Sequence, residues 1–379
     1  MVEPCPLIEI AGTPVDRGEQ YGRAAADRIR KGMAHYGAQL VAMGLDEVGL
    51  ARVVKRYLPS IEAFAPTYVE EMRGIARGAD VPFDQIVLLN ARTEVLELAK
   101  HPERQNMLDV PDEPDGCTVA VGLPAATRDG TLIHAHNWDW KSECAETSVI
   151  LRIRRDDGPD ILTFTEAGAL ARFGFNGHGI AITGNYLESD RDYRQMGVPL
   201  ALIRRKVLEQ ERLALALHTV YTAPKSASNN ITVTHRAGLC FNVECAPDET
   251  FPVEPKDGLL VHSNHWLSPV AQARLRDTGI AAMPCTLYRN VRVHGLLAPK
   301  LGDLTVADFK AALGDAFESP WSVCRPPRPS TRNNLTATVA TIIMCPAAGV
   351  MEVALLPALG ARYDSYRLAM TPLTDPKEG

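Results

Sequence analysis

The 379-residue sequence lacks the patterns that mark three large classes of protein. No run approaches the roughly 18 apolar residues that a membrane helix requires, and residues 1–6 lack the basic and apolar regions of a signal peptide. The formal net charge of −6 gives no electrostatic reason to bind nucleic acid or an anionic membrane. No glycine-rich loop follows a predicted strand, which argues against a Rossmann or P-loop nucleotide site. We therefore expect a soluble protein with neither a nucleic-acid nor a membrane partner.

Cysteine is present, but not in paired spacing. None of the eight cysteines forms the CxxC pattern of a zinc ribbon, and their scatter differs from the spacing of a disulfide framework. Such a distribution is typical of a reducing compartment, so we expect a cytoplasmic protein with free thiols. The cysteines are Cys5, Cys117, Cys144, Cys240, Cys245, Cys285, Cys324 and Cys345.

The hydrophobic pattern changes along the chain. In the first third, apolar residues recur at three- and four-residue intervals. This pattern predicts a first helix that is entered near Pro14 and Asp16 and has its apolar stripe over 21–40, and further helices over 66–79 and 83–99. The polar, proline-bearing residues 100–114 predict an exposed loop. Beyond that loop, runs of β-branched and aromatic residues predict strands. We predict strands over 118–123, 131–140, 147–154, 161–166, 171–175, 179–185, 230–235, 239–245, 259–263, 337–345 and 350–356, with further helices over 199–217, 268–278 and 306–317.

This order of elements predicts the fold class. Helices before, between and after two sets of hairpin-linked strands favour an α+β protein, with two antiparallel sheets stacked on each other and covered by helices. The change from helical to strand periodicity falls at Gly116/Cys117. It divides the chain into a helical segment, 1–116, and a strand-rich segment, 117–379.

The bond between Gly116 and Cys117 is the most informative point in the sequence. A precursor that cleaved itself there would leave Cys117 as a new N-terminus, with a nucleophile and a base on one residue. An α-amine titrates at about pH 7.7–8.0 and a thiol at about 8.5, so a proton passes between them at little cost. The alternative interpretation is a buried structural cysteine after a tight Asp115-Gly116 turn.

Further motifs accompany this bond in a specific order and spacing, and together they resemble one known family. It is the autoproteolytic acyltransferase/hydrolase family typified by isopenicillin N (6-aminopenicillanic acid) acyltransferase, within the N-terminal-nucleophile hydrolase superfamily. The resemblance spans nearly the whole chain. It implies an αββα four-layer sandwich and cleavage before Cys117 into two fragments that stay associated. The motifs are Arg17-Gly-Glu-Gln-Tyr-Gly22, Glu70-Glu71-Met-Arg-Gly-Ile-Ala76, Leu89-Asn-Ala-Arg-Thr-Glu94, Gly116-Cys117-Thr118, Asn137-Trp138-Asp139, Phe175-Asn-Gly-His-Gly-Ile180, Gly184-Asn185, Ser263-Asn264-His265 and Ser322-Val-Cys-Arg325.

The resemblance also implies a role for each polar residue of these motifs. Cys117 is the nucleophile, first against the Gly116 carbonyl and then against the substrate. Asp139 orients the ammonium or thiol of the nucleophile. Asn264 is the oxyanion-hole donor, and Asn185 is a second polar group near the oxyanion. Arg325 either neutralises Asp139, binds a substrate carboxylate or forms a structural salt bridge.

Aromatic and histidine residues flank the same motifs. We expect Trp138, Trp140, His136 and His265 to line the substrate pocket, although tryptophans more often pack in a core. A competing interpretation is a metal site made of His134, His136 and Asp139, with His262 and His265 nearby, because alternate residues of a strand face the same side.

The function that the resemblance implies is amide cleavage or acyl exchange on a small molecule. We expect hydrolysis of a linear N-acyl amine through a thioester acyl-enzyme, with acyl transfer from a thioester or amide to an amine as the alternative. Because Cys117 and its own amine supply both the nucleophile and the proton carrier, we expect no cofactor. A non-enzymatic binding module would instead stay a single uncleaved chain. Homo-oligomerisation is left open.

Overall fold

Two β-sheets carry most of the strands in the computed structural model, which describes residues 2–42, 44, 47–99, 116–329 and 335–372. The predicted loop over 100–114 lies outside the described residues. The helices are α1 (Pro14–Ala42), α2 (Glu47–Phe64), α3 (Pro66–Ala79), α4 (Phe83–Asn90), α5 (Arg92–Ala99), α6 (Leu200–Leu208), α7 (Leu213–Thr222), α8 (Pro269–Arg274), α9 (Cys285–Leu297) and α10 (Val306–Leu313). The strands are β1 (Leu7–Ile10), β2 (Gly116–Gly122), β3 (Ile133–Lys141), β4 (Ser148–Ile153), β5 (Ile161–Glu166), β6 (Phe173–Asn176), β7 (Ile180–Tyr186), β8 (Asn229–His235), β9 (Leu239–Cys245), β10 (Thr250–Val253), β11 (Leu259–His262), β12 (Arg328–Pro329), β13 (Leu335–Cys345), β14 (Val350–Leu355) and β15 (Asp364–Arg367).

The order of strands shows which segments meet. The first sheet runs β1-β4-β5-β6-β7-β8-β9-β10, with β1 parallel to β4 and its other pairs antiparallel. The second sheet runs β11-β2-β3-β13-β14-β15, with β12 pairing on β13, and is antiparallel throughout. Since β1 precedes Gly116, the segment 1–116 contributes a strand to the first sheet as well as helices.

The two sheets lie face to face. His134 of β3 hydrogen-bonds the hydroxyls of Thr234 and Thr183 in the first sheet, at 2.9 and 2.7 Å. The ring of Trp138 lies 5.9 Å from that of Phe164. Helices α1, α6 and α7 pack on strands of the first sheet, α2 to α5 pack on other helices of this layer, and α9 and α10 pack on strands of the second sheet. The predicted α+β, αββα sandwich is therefore confirmed.

Four glycines of the N-terminal motifs bring α1 and α3 together. A Cβ on Gly18 would lie 2.1 Å from the Glu71 backbone oxygen, and one on Gly22 would lie 2.3 Å from that of Ile75. Gly74 and Gly78 face α1 in the same way, so each helix has two glycines four residues apart at the crossing. The backbones are too close for any side chain, which explains why these motifs contain glycine.

The structure differs from the predicted elements where turns interrupt helices. The predicted helix 83–99 is two helices separated at Ala91, and the helix predicted over 199–217 is α6 and α7, separated by residues 209–212. Helices α2 and α9 and strands β1, β10, β12 and β15 were not predicted. Thr305 and Asp308 form a capping box at the start of α10.

Candidate active site

The antiparallel pair β2–β3 places Gly116 and Cys117 at one end of the second sheet. Cys117 lies directly opposite Trp138, and Gly116 lies directly opposite Asp139. Opposed residues project to the same face of a sheet, so Cys117 and Trp138 face the first sheet, while Gly116 and Asp139 face the helical layer of α9 and α10. Cys117 is only 1% exposed. In the continuous chain, the thiol is therefore shielded from solvent.

Gly116 packs directly against the Asp139 carboxylate. A Cβ built on Gly116 would lie 3.0 Å from both Cβ and Oδ2 of Asp139, and 3.4 Å from Nη1 of Arg325. A side chain at this position would therefore crowd the Asp139 carboxylate. The absence of a side chain brings the carboxylate next to the bond that we expect to be cleaved.

Asp139 is held by the neighbouring strand and by Arg325. Its Oδ1 accepts a hydrogen bond of 2.7 Å from the Thr338 hydroxyl, and its Oδ2 lies 3.5 Å from Nε of Arg325. A β-bulge at Val339 shifts the β13 register at this point. Bulges commonly re-aim side chains beside active sites. The structure thus pairs Arg325 with Asp139, and the role of this pair in the reaction stays a prediction.

Asn264, which follows β11, contacts the nitrogen of Cys117. The Cys117 N–H donates a 2.8 Å hydrogen bond to Asn264 Oδ1, while Asn264 Nδ2 donates to the Tyr186 carbonyl at 2.9 Å. The Asn264 backbone N–H donates to the hydroxyl of Thr286. Asn264 therefore lies beside the expected nucleophile, with its side-chain oxygen toward Cys117. Its role as an oxyanion donor stays a prediction.

Asn185 contacts the backbone of the segment that carries Asn264. Its Nδ2 donates to the His262 carbonyl at 3.2 Å, so it joins β7 to the end of β11. The same segment is braced by the buried Glu244, whose carboxylate contacts the His262 ring at 2.8 Å and accepts from two backbone N–H groups, those of Leu267 and Ser268. Asn185 contacts the backbone behind the site, and its proximity to an oxyanion stays a prediction.

The predicted pocket residues occupy two different places. Trp138 lies between the sheets, with the Arg172 guanidinium 4.1 Å from its ring centre, and Trp140 lies on the same face of β3. The ring centres of His136 and Phe173 lie 4.2 Å apart, and burial lowers the pKa of the His136 imidazole well below the usual range.

His265, in contrast, lies near Asn264. Its Nδ1 is 2.9 Å from the Thr286 hydroxyl, and burial, followed by the charges of His262 and Arg289, lowers its pKa to about 4. His265 is therefore neutral at neutral pH. Substrate contacts by this histidine, or by Trp138, Trp140 and His136, stay predictions.

The alternative metal set is not assembled. His134 and His136 face the first sheet, whereas Asp139 faces the opposite side of β3. Both ring nitrogens of His134 already contact threonine hydroxyls. Within the described ranges, no three His, Cys, Asp or Glu side chains lie close enough together to hold a metal ion.

Arg289 is a site residue that the sequence analysis missed. This fully buried arginine of α9 donates from Nη1 to the Cys117 carbonyl at 2.5 Å and to Thr118 Oγ1 at 2.7 Å, and from Nη2 to Asn264 Oδ1 at 2.7 Å. In the sequence, Arg289 stands out only as a charged residue on the helix face that otherwise carries Thr286, Val293 and Leu297. Since α9 was not predicted, that signal was not accessible.

Comparison with known proteins identifies the family. A sequence model described as acyl-coenzyme A:6-aminopenicillanic acid acyl-transferase matches residues 126–356. The chain belongs to this family. It is 28% identical over 330 residues to the 40 kDa form of acyl-coenzyme A:6-aminopenicillanic-acid-acyltransferase from Emericella nidulans, with 84% of each chain covered. The resemblance predicted from the motifs is confirmed, and the protein is an enzyme of the acyltransferase/amide-hydrolase class.

Two solved structures show more distant similarity. A Caenorhabditis elegans orthologue of N-acylethanolamine-hydrolyzing acid amidase aligns with a TM-score of 0.43 and 16% identity, covering 61% of this chain and 93% of the other. A variant of the conjugated bile acid hydrolase from Clostridium perfringens aligns with a TM-score of 0.44 and 11% identity, covering 68% and 99%.

The family match starts after Cys117, so it does not itself extend over the expected cleavage bond. Among the described helices, none is long and apolar enough to cross a membrane.

Proposed function

We propose that this family member is a self-cleaving enzyme in which Cys117 becomes the N-terminal nucleophile and hydrolyses the linear amide of a small N-acyl amine. The observation that carries the proposal is the contact of the Cys117 nitrogen with Asn264 Oδ1, at 2.8 Å, at the strand end where Gly116 adjoins Asp139. This arrangement surrounds one peptide bond with a thiol, a carboxylate and a polar amide. A merely structural cysteine has no need of these neighbours.

Self-cleavage would proceed by transfer of an acyl group from nitrogen to sulfur. The Cys117 thiolate attacks the Gly116 carbonyl carbon, an S–C bond forms, and the C–N bond to Cys117 breaks. The released nitrogen takes up a proton and becomes an α-amine. Water then attacks the thioester, which frees the Gly116 carboxylate and the thiol. The Asp139 carboxylate adjoins Gly116, and its Oδ2 accepts no hydrogen bond from the described residues.

Turnover would repeat the same chemistry on a substrate. The thiolate attacks the acyl carbonyl, and the α-amine of Cys117 delivers the thiol's proton to the departing amine. The resulting thioester is then hydrolysed by water. Both steps use groups of one residue, so no cofactor is required.

Acyl transfer is the second candidate, and the family description and the Emericella relative favour it. In that reaction an amine, for example a 6-aminopenicillanic acid-like acceptor, replaces water at the thioester. A thiolate leaves more readily than an amide nitrogen, so a transferase should prefer an acyl-thioester donor. It also requires a site where the acceptor excludes water before the acyl-enzyme decays.

Intact-mass measurement tests the nucleophile. We expect the wild-type protein to give fragments 1–116 and 117–379 that co-purify, and Cys117→Ala to remain one inactive chain. Cys345→Ser is a matched control at a half-buried cysteine at the end of β13, and it should cleave normally. Since Cys117 is buried in the continuous chain, a thiol electrophile should label it only after cleavage. Full activity from an uncleaved chain would refute the proposal.

Product partitioning distinguishes hydrolysis from transfer. A panel of N-acyl amides, β-lactam side-chain amides and acyl-thioesters would be incubated with increasing concentrations of an amine. We expect linear-amide hydrolysis without amine, cofactor or added metal. Product that forms only with amine, with the thioester as the better donor, would favour transfer. Activity that is lost with EDTA and restored by Zn²⁺ would contradict both reactions.

A further inference from the structure

Arg289 is a buried cation with an unusual set of partners. Its guanidinium donates to a carbonyl, a hydroxyl and an amide oxygen and lies 3.8 Å from the Met283 sulfur, and it forms no ion pair with a carboxylate of the described residues. Burying a guanidinium without a carboxylate is costly, so such groups are retained mainly where the charge has a use. Burial, and then the charge of Arg325, lower the pKa of Arg289 from its ordinary value. Arginine nevertheless stays charged at neutral pH.

The hydrogen bonds of Arg289 determine how the Asn264 amide is oriented. Asn264 Oδ1 accepts from both Arg289 Nη2 and the Cys117 N–H. A reversed amide would place an NH₂ group against two donors and would leave the Tyr186 carbonyl facing an oxygen. Arg289 therefore stabilises the one orientation in which Asn264 can accept a hydrogen bond from the nitrogen of Cys117.

We propose that Arg289 is a positioning residue for the reaction at Cys117: it fixes the Asn264 side chain and the Cys117 carbonyl, and its charge keeps the released α-amine neutral. The proposal rests on the proposed function, because it requires Cys117 to become an N-terminus. A neutral amine is the form that can accept the proton of the thiol, whereas an ammonium cannot.

The charges around the Cys117 nitrogen support this role. The cations are Arg289 on α9 and Arg325, and the carboxylate near them is Asp139, which pairs with Arg325. Cys285, at the start of α9, lies 3.0 Å from Arg325 Nη2, and His265 is neutral at working pH. Among the described residues, Asp139 is thus paired with Arg325, whereas Arg289 places a positive charge beside Cys117 without a carboxylate partner. A nearby positive charge disfavours ammonium and favours thiolate.

Two substitutions separate the charge of Arg289 from its geometry. Arg289→Gln removes the charge, whereas Arg289→Lys keeps the charge but loses the forked pair of donors. Arg292→Gln is the control on the same helix, because Arg292 pairs with Asp315 away from Cys117. Each variant would be assayed for fragment masses, for kcat and KM against pH, and for the pH dependence of Cys117 alkylation in the cleaved protein.

We expect Arg289→Gln to raise the apparent pKa of the acidic limb of the kcat–pH profile by about one pH unit or more, because a nearby positive charge has been lost. Its kcat should fall by about 10- to 100-fold with little change in KM. Arg289→Lys should keep the limb near its wild-type position while kcat still falls by about tenfold. Arg292→Gln should leave both quantities unchanged.

The outcomes distinguish this role from the function on which it rests. If the wild-type protein stays one chain and Cys117→Ala keeps its activity, the proposed function fails before any Arg289 variant is made. If the wild type cleaves and depends on Cys117, but Arg289→Gln keeps the wild-type pH limb and kcat, only the role of Arg289 is overturned. Should Arg289→Gln not fold, Arg289→Lys decides: wild-type kcat refutes positioning, and lowered kcat with an unchanged melting temperature supports it.

Discussion

Adding one methyl group at Gly116 should slow maturation without preventing folding. The new Cβ of Gly116→Ala would lie 3.0 Å from Cβ and Oδ2 of Asp139, whereas ordinary contacts are about 3.4–4 Å. The Asp139 carboxylate must therefore move by several tenths of an ångström. Such overpacking typically costs about 1–3 kcal/mol. If this free energy is added to the activation barrier of self-cleavage, the cleavage rate should decrease by about 5- to 150-fold.

A second glycine of the same strand provides the control. In Gly122→Ala, the new Cβ would meet Phe309 Cζ at 2.9 Å, a similar degree of crowding at the other end of β2. We expect both variants to lose comparable thermal stability. Only Gly116→Ala should accumulate uncleaved chain in an intact-mass time course.

Turnover gives a further check, because Gly116 would end the N-terminal fragment after cleavage. The cleaved fraction of Gly116→Ala should therefore turn over at nearly the wild-type rate per molecule. Cleavage at the wild-type rate in Gly116→Ala, or equal slowing in Gly122→Ala, would refute the argument that the approach of Asp139 to Gly116 matters for the reaction.

Four other changes test the candidate site, the buried histidines and the crossing of α1 and α3. Asp139→Asn should impair both cleavage and turnover. Asn264→Ala should mainly reduce kcat, by about 10²–10³-fold. Normal turnover of a slow substrate by Asn264→Ala would show that Asn264 is not part of the site. Burial lowers the pKa of His134 to about 3 and contributes most to lowering that of His265 to about 4. As the pH falls below about 6.5, the histidines of the unfolded chain bind protons before those of the folded chain do. The free energy of unfolding should therefore decrease from pH 6.5 toward pH 4, by about 1.4 kcal/mol per pH unit for each histidine. A melting temperature that stays constant over this range would contradict the prediction. Gly22→Ala should separate α1 from α3 and lower the melting temperature by more than Gly37→Ala, whose Cβ would meet no atom within 4 Å.

The layered fold was predictable because its signal is local. Strands such as β5 and β8 have continuous β-branched or aromatic runs, and α1 and α3 have clear apolar stripes. Helix α2 was missed because Pro59 interrupts its pattern. Strand β1 has only four residues, and it is stabilised by parallel pairing with β4, about 140 residues away. The local sequence pattern therefore could not predict that β1 pairs with β4.

The site was predictable only where its residues lie in recognised motifs. Cys117, Asp139, Asn264 and Arg325 are indeed brought to one end of the second sheet. Arg289 was not predicted, because an arginine in a helix is normally exposed, and only the packing of α9 on β2 and β11 buries it. The pairing of Arg325 with Asp139 likewise depends on tertiary contacts.

The alternation of β3 would separate the two tasks that the proposed mechanism assigns to Cys117, self-cleavage and turnover. Asp139 faces α9 and lies against the bond before Cys117, whereas Trp138 faces the space between the sheets beside the thiol. Substitutions on the Asp139 side should therefore affect maturation. Substitutions on the Trp138 side should change substrate preference while fragments still form. A Trp138→Phe variant tests this separation, because we expect normal fragment masses with an altered order of kcat/KM across acyl chain lengths. An uncleaved but folded Trp138→Phe protein would show that the two faces of the strand are not independent.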